Sequence, residues 1–296
     1  MLNLPPHKLQ ILHAAADALR SVPNVVAIVL GGSYACGFAR PESDLDIGVY
    51  YREAAPLSAD HVRSAALTIC TAGSVPVVSG LYDWGPWVNG GAWIQTPAGK
   101  VDFLYKNVDQ IQTVIEESRR GIWRHDYDQQ PPYGFRSIVL LGETAICVPL
   151  YDPEDAIARL KESVAVYPEP LRGRILQEAL WGAEFTLHFC RTFAGSADVY
   201  NAAGCMARVA QFLVHALFAL NRRYFVSDKY ANRLIGEFTL RPPDFMARLA
   251  QVLSGPGATT GELSKALESL TALWLETVHL TAGAYSPRYD LKAHLP

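Results

Sequence analysis

The chain has no uninterrupted apolar run near the roughly 20 residues a membrane span needs, no lysine- and arginine-rich tract, no Cys-x-x-Cys pair and no internal repeat. The first absence argues against a membrane partner. Net charge is −3 and the pI about 6.2, so the basic stripe that tracks a phosphate backbone is missing. Long nucleic acid is therefore not an expected partner, although a local basic groove for a tRNA end stays open. The five cysteines are odd in number and widely spaced, which gives neither a disulfide framework nor a zinc site. The eight histidines are equally scattered. The opening MLNLPPHKLQILHAAADALR has no basic segment followed by an apolar core and a small-residue cleavage site; it reads as an amphipathic helix entered through prolines. A reducing cytoplasm is the expected location.

At 296 residues, half of them apolar, the chain exceeds the usual single-domain size and can bury a large core. Up to about residue 150 short β-rich runs (VVAIVL, DIGVYY, VDFLY) alternate with helical ones (DHVRSAALTI, VDQIQTVIEESRR). From Asp152 onward long segments carry apolar residues at helical spacing. The expected fold class is α+β: an N-terminal α/β domain with a mixed sheet over residues 1–150, then an all-helical domain over 151–296. Asp152 is placed to cap a helix with Pro153 at its first position. Residues 73–100 hold six glycines and three of the six tryptophans, Trp84, Trp87 and Trp93. They suggest a hairpin with an elaborate turn, whose tryptophans either fill core or form a stacking wall for a ring.

The stretch LGGSYACGFARPESDLDIGVY carries the chemistry. Along an extended strand residues i and i+2 share a face, so Asp44 and Asp46 project together while Leu45 and Ile47 turn to the core. Two carboxylates so placed repel unless a cation sits between them, and hard oxygen ligands suit magnesium or manganese. The Gly31-Gly32-Ser33 turn lets backbone approach a ligand closely, and a helix opening near Tyr34 would favour an anion, with the Ser33 hydroxyl as a further donor. Neither G-x-x-x-x-G-K-[ST] nor G-x-G-x-x-G is present.

Gly32-Ser33, ten residues, then Asp44-Leu45-Asp46 resembles the defining motif of the DNA polymerase β-like nucleotidyltransferases, which include antibiotic adenylyltransferases and minimal nucleotidyltransferases. The resemblance implies a third carboxylate on a later strand and two magnesium ions, with manganese as a substitute. The activity it implies is transfer of a nucleoside monophosphate from an NTP, with ATP the family's usual donor. Asp102, between Val101 and Phe103, is the expected third acid, binding metal or activating the acceptor hydroxyl; Asp83 in LYDWG is its rival. Asp126-Tyr127-Asp128 repeats the D-x-D spacing without the preceding turn and reads as solvated loop.

Several positions keep two readings. Ser43 contacts nucleotide phosphates or caps a turn. Lys229, behind Ser227 and Asp228 at a helix start, is a solvated lysine after an N-cap or, by resemblance, reaches the triphosphate, as could Arg208, Arg222 and Arg223. Cys36 is a small packing residue or a thiol made acidic by a helix N-terminus. The expected acceptor is a small hydroxylated, aminoglycoside-like molecule. The alternatives are transfer to tRNA or a protein, as in toxin-like relatives, and a nucleotide-binding regulator without turnover.

Overall fold

A computed structural model describes residues 4–291. In chain order the elements are α1 (Pro6–Arg20), β1 (Ala27–Leu30), α2 (Gly32–Cys36), β2 (Leu45–Tyr51), α3 (Ala59–Ile69), β3 (Val77–Val78), β4 (Gly91–Thr96), β5 (Gly99–Asn107), α4 (Val108–Arg119), β6 (His125–Asp126), β7 (Phe135–Arg136), α5 (Ile138–Ile146), β8 (Val148–Tyr151) and α6 (Ala156–Ser163). Five helices follow: α7 (Glu169–Gly195), α8 (Val199–Leu220), α9 (Asp228–Glu237), α10 (Phe245–Leu253) and α11 (Thr260–Leu280). The α+β class holds: a mixed sheet comes first and helices follow.

The chain forms two compact units. The first runs to Glu117 and resumes over Trp123–Val166; the second takes Ser118–Ile122 and the chain from Tyr167 onward. The first unit thus extends past the expected division after residue 150. The reason is β8, a four-residue strand that Pro149 hides in the sequence, which pairs with β1 at the sheet edge and is followed by α6. Asp152 does cap, accepting from the backbone N–H of Ile157 at 3.1 Å and Ala158 at 3.0 Å. The helix itself starts at Ala156, three residues later than Pro153 suggested.

The sheet order is β3-β4-β5-β2-β1-β8, with β2 and β5 parallel and the other neighbours antiparallel. One face packs on α1 and α3. Leu45, Ile47, Val49, Val101, Phe103, Ile28 and Leu30 from the strands meet Leu12, Ala15, Leu19, Val62, Ala66 and Ile69 from the helices, all buried. The alternation of β2 and β5 follows directly: apolar residues at odd positions fill this layer, which leaves Asp46, Lys100 and Asp102 on the opposite face. Residues 77–96 are the expected hairpin, β3 and β4 joined by the tryptophan-bearing loop.

In the second unit α7, α8 and α11 share a core in which Trp274, fully buried, donates its Nε1–H to the Leu180 carbonyl at 3.1 Å. α8 is long and apolar enough to cross a membrane, but 67% of its most apolar window is buried, which marks a core helix. The start of α11 carries a capping box between Thr259 and Glu262.

Phe103 has no solvent exposure at the centre of the first unit. Phe103→Ala is expected to cost about 3–5 kcal/mol in urea unfolding, as large-to-small core changes do; a loss below about 1 kcal/mol would mean that this layer is loosely packed.

Candidate active site

β1 ends at Leu30 and the chain turns back over β2. Gly31 N–H donates to the Asp46 carbonyl at 2.8 Å. Gly32 has φ +57°, and a Cβ built there would lie 1.7 Å from Asp46 Oδ2. Only glycine fits, for conformation and for space alike: the Asp46 carboxylate lies against the Gly32 α-carbon. The following helix, α2, opens at Gly32 rather than near Tyr34 and spans five residues before Gly37 (φ 72°) ends it. One turn carries little macrodipole, so what this segment offers an anion is the glycine-rich backbone and the half-buried Ser33 hydroxyl.

Parallel pairing of β2 with β5 sets Asp46 directly beside Asp102. Asp44 lies just ahead of β2. Lys100, two residues before Asp102 on the same face, donates to Asp102 Oδ2 at 2.8 Å and to Asp44 Oδ2 at 3.4 Å. Burial alone would lower the Lys100 pKa; the hydrogen bond and charge of Asp102, with Asp44, outweigh it and raise the pKa above the usual lysine value. Two of the three carboxylates, Asp102 and Asp44, share this one ammonium. Among the described residues no group of three His, Cys, Asp or Glu side chains is gathered closely enough to hold a metal ion; Lys100 stands among these acids instead. In chemistry the three donors are hard carboxylate oxygens, the kind magnesium takes, with Asp46 and Asp102 on neighbouring strands and Asp44 just ahead of β2.

Asp83, the rival third acid, accepts from Gly80 N–H at 2.6 Å and closes a local turn, which leaves Asp102 as the acid beside Asp46. Asp126 likewise accepts from Asp128 N–H at 3.2 Å within its own loop. Ser43 Oγ accepts from Arg40 N–H at 2.9 Å, the turn-capping arrangement. Its carbonyl accepts from the ammonium of Lys8, a buried α1 residue whose Nζ also lies 5.5 Å from the Tyr34 ring centroid.

Beside Asp46 a cavity of about 90 Å³ is lined by Gly31, Gly32, Tyr50, Lys106, Glu143 and Cys147. Lys106 crosses it to Glu143 at 2.6 Å. Burial pushes the Cys36 thiol up to about 11, helped by the charges of Asp46 and Glu143. It is a packing group, not the acidic thiol that a helix N-terminus would make.

The three tryptophans separate. Trp93 is the register partner of Asp102 and stacks on Trp84, centroids 4.9 Å apart. Trp87 stacks on Phe135 at 5.6 Å. Gly32, Ser33, Ser43, Asp44, Asp46 and Asp102 are all carried by the first unit, whereas Lys229 belongs to the second. There Ser227 caps α9, accepting from Lys229 N–H at 3.2 Å, and the lysine side chain is exposed. Arg222 pairs with Glu169 at 2.5 Å, and Arg208 lies over the Phe212 ring, both within the second unit. Reading the sequence missed Lys100 and Lys8. The parity of Lys100 with Asp102 on one strand was a usable signal; for Lys8 there was none.

Residues 13–122 match the nucleotidyltransferase domain family, and residues 143–231 match a domain of unknown function, DUF4037. Among solved structures the chain is similar to a nucleotidyltransferase-like protein from Exiguobacterium sibiricum 255-15, at 11% identity and a TM-score of 0.45, over 91% of this chain and 74% of that one. No curated protein matches.

Two substitutions test this geometry. Gly32→Ala is expected to cost about 1–2 kcal/mol for the left-handed backbone and to push the Asp46 carboxylate aside, so magnesium-dependent nucleotide binding falls at least tenfold while circular dichroism keeps its native shape. Retained binding would show that the carboxylate position is not set by this glycine. Lys100→Met is expected to lower stability in chelator by about 1 kcal/mol, discounted for its partial exposure, a melting shift of roughly 2–4 °C. Magnesium should then raise the variant's melting temperature more than the wild type's; equal shifts would mean that Lys100 does not offset the acids.

Proposed function

From a chain that carries a nucleotidyltransferase domain of the DNA polymerase β-like superfamily, we propose a magnesium-dependent enzyme that moves a nucleoside monophosphate, AMP from ATP, to a hydroxyl of a small acceptor. The observation that carries the reading is the register of Asp46 against Asp102, with Gly32 underneath the Asp46 carboxylate. Asp44 and Asp46, with Asp102, would hold magnesium, or manganese in its place. When bound, the ions supply charge neutralisation at the phosphates and at the entering and leaving oxygens. The Ser33 hydroxyl and the backbone amides of Gly32 and Ser33 seat the triphosphate, the Gly31 amide being taken by the Asp46 carbonyl. Asp102 takes the proton of the acceptor hydroxyl as its oxygen bonds to the α-phosphorus; the bond from that phosphorus to the bridging oxygen breaks and pyrophosphate leaves. Ser43 supports the approach to Asp44 through its turn, and Lys229 is assigned to the triphosphate by family likeness alone.

The acidic balance of the site face supports a small neutral or cationic acceptor over tRNA or a protein. Use of an NTP donor is consistent with a cytoplasmic location. Calorimetric titration of the four NTPs with magnesium is expected to show binding, tightest for ATP, that falls more than tenfold in Asp44→Asn/Asp46→Asn. Binding of equal strength in the double variant, with the fold intact, would overturn the site assignment.

A further inference from the structure

The sheet face that carries Asp46 and Asp102 continues onto β4 and β3, and there its character changes. Trp93 is paired with Asp102 and Val77 with Trp93; residues directly opposed on neighbouring strands project to the same side. Trp93 is 46% exposed and Val77 59%. Trp84 lies over Gly91, where a Cβ would come within 3.2 Å of its ring, and stacks on Trp93 at an interplanar angle of 20°. Adjoining apolar side chains exposed beside a polar site mark a ligand contact more often than a stray surface.

The platform is held rigidly. Gln129, 7% exposed, donates to the Trp84 carbonyl at 2.6 Å and to that of Val88 at 3.3 Å, and accepts from Trp87 N–H at 2.7 Å and Val88 N–H at 3.3 Å. One buried amide thus fixes both ends of the Trp84–Val88 loop. A ring docking there finds its surface already ordered, which lowers the entropy cost of binding.

Sheet order supplies a direction. Passing from β1 through β2 and β5 to β4, the face presents the Gly31–Ser33 turn, Asp46, Asp102 and then Trp93. In an in-line displacement the entering and leaving oxygens lie on opposite sides of phosphorus. With the pyrophosphate on the turn, the entering oxygen comes from the β4 side. The nucleoside is attached at an equatorial position, off that axis. Neighbouring strands are about 4.8 Å apart, so Trp93 stands about one sugar ring beyond Asp102.

We infer that Trp84 and Trp93 form the acceptor subsite and take the flat, apolar face of a hydroxylated sugar ring, whose reacting hydroxyl then lies over Asp102. This rests on the transferase reading above. Four carboxylates (Asp44, Asp46, Asp102 and Glu143) stand with two ammoniums (Lys100 and Lys106), so a phosphodiester chain is disfavoured as the occupant, while an amino group on the sugar would be attracted by the acids and by the tryptophan faces.

The test compares wild type, Trp93→Ala, Trp93→Phe and Trp84→Ala. Calorimetry measures the α,β-methylene analogue of ATP with magnesium, and tryptophan fluorescence follows titration with lactose, chitobiose and a CCA trinucleotide. The expected result is analogue affinity within twofold of wild type in every variant. A disaccharide should quench wild type saturably, bind at least tenfold more weakly to Trp93→Ala and Trp84→Ala, and recover most of its affinity in Trp93→Phe. A tenfold loss of analogue affinity in Trp93→Ala would give the platform to the nucleobase and overturn the inference while the transferase reading stands. It is equally overturned if only the trinucleotide binds, if neither disaccharide binds, or if disaccharide affinity survives Trp93→Ala. Wild type that binds no analogue would instead remove the transferase reading on which the inference stands.

Discussion

Carboxylates gathered on one face of a sheet repel, and the first unit is arranged around that repulsion. Neighbouring acids about 5 Å apart on paired strands oppose each other by on the order of 3 kcal/mol at an effective dielectric constant near 20, before solvent screening. A fold keeps such a group only if something holds each acid in place. Asp102 is held by Lys100 from its own strand. Asp46 is held by the register of β2, which buries Leu45 and Ile47 on the other face, and by the turn at Gly32 that leaves room for its oxygen. The apolar layer beneath the sheet and the charged layer above it are therefore one constraint, since a one-residue slip of β2 would expose the first and bury the second.

Much of this was legible in the sequence. Alternation in DLDIGVY and VDFLY fixes which residues face the core, so Asp44, Asp46 and Asp102 could be placed on a common face without coordinates, and the change to helical spacing foretold the second half. The strand at Val148–Tyr151 was not legible, because four residues with a central proline lack the pattern of a strand; its partner β1 makes it one. The length of α2 was also hidden, because Gly37 stops the helix only in its folded, left-handed conformation. Lys8 depends on long-range packing, since its carbonyl partner Ser43 lies 35 residues away. Cys36 kept two readings in the sequence, packing residue or acidic thiol, and burial beside Asp46 and Glu143, which makes it less acidic than usual, decides for packing.

The hairpin loop shows how composition can mislead about role. Three tryptophans in one glycine-rich segment look like a single feature, yet they divide between two tasks. Trp87 packs on Phe135 and helps anchor the loop, while Trp84 and Trp93 pair on the face shared with Asp102. The deciding factor is parity on β4, where Gly91 and Trp93 share one side and Ala92 and Ile94 are buried on the other. Glycine is required at position 91 first by the paired strand, since a Cβ there would meet the Phe103 carbonyl oxygen at 1.9 Å, and the Trp84 ring comes next at 3.2 Å.

Lys100 gives the acid cluster its particular character. Its ammonium bonds Asp102 closely and Asp44 at longer range, and its side chain is 36% exposed, so the long stem can retract toward water without disturbing the strand. A divalent ion held by Asp44, Asp46 and Asp102, as proposed, would compete for both contacts, and the longer one to Asp44 would yield first. The stronger one, to Asp102, lies on the side from which the acceptor is proposed to arrive. Such an arrangement holds Asp44 and Asp102 in place before any ligand is present.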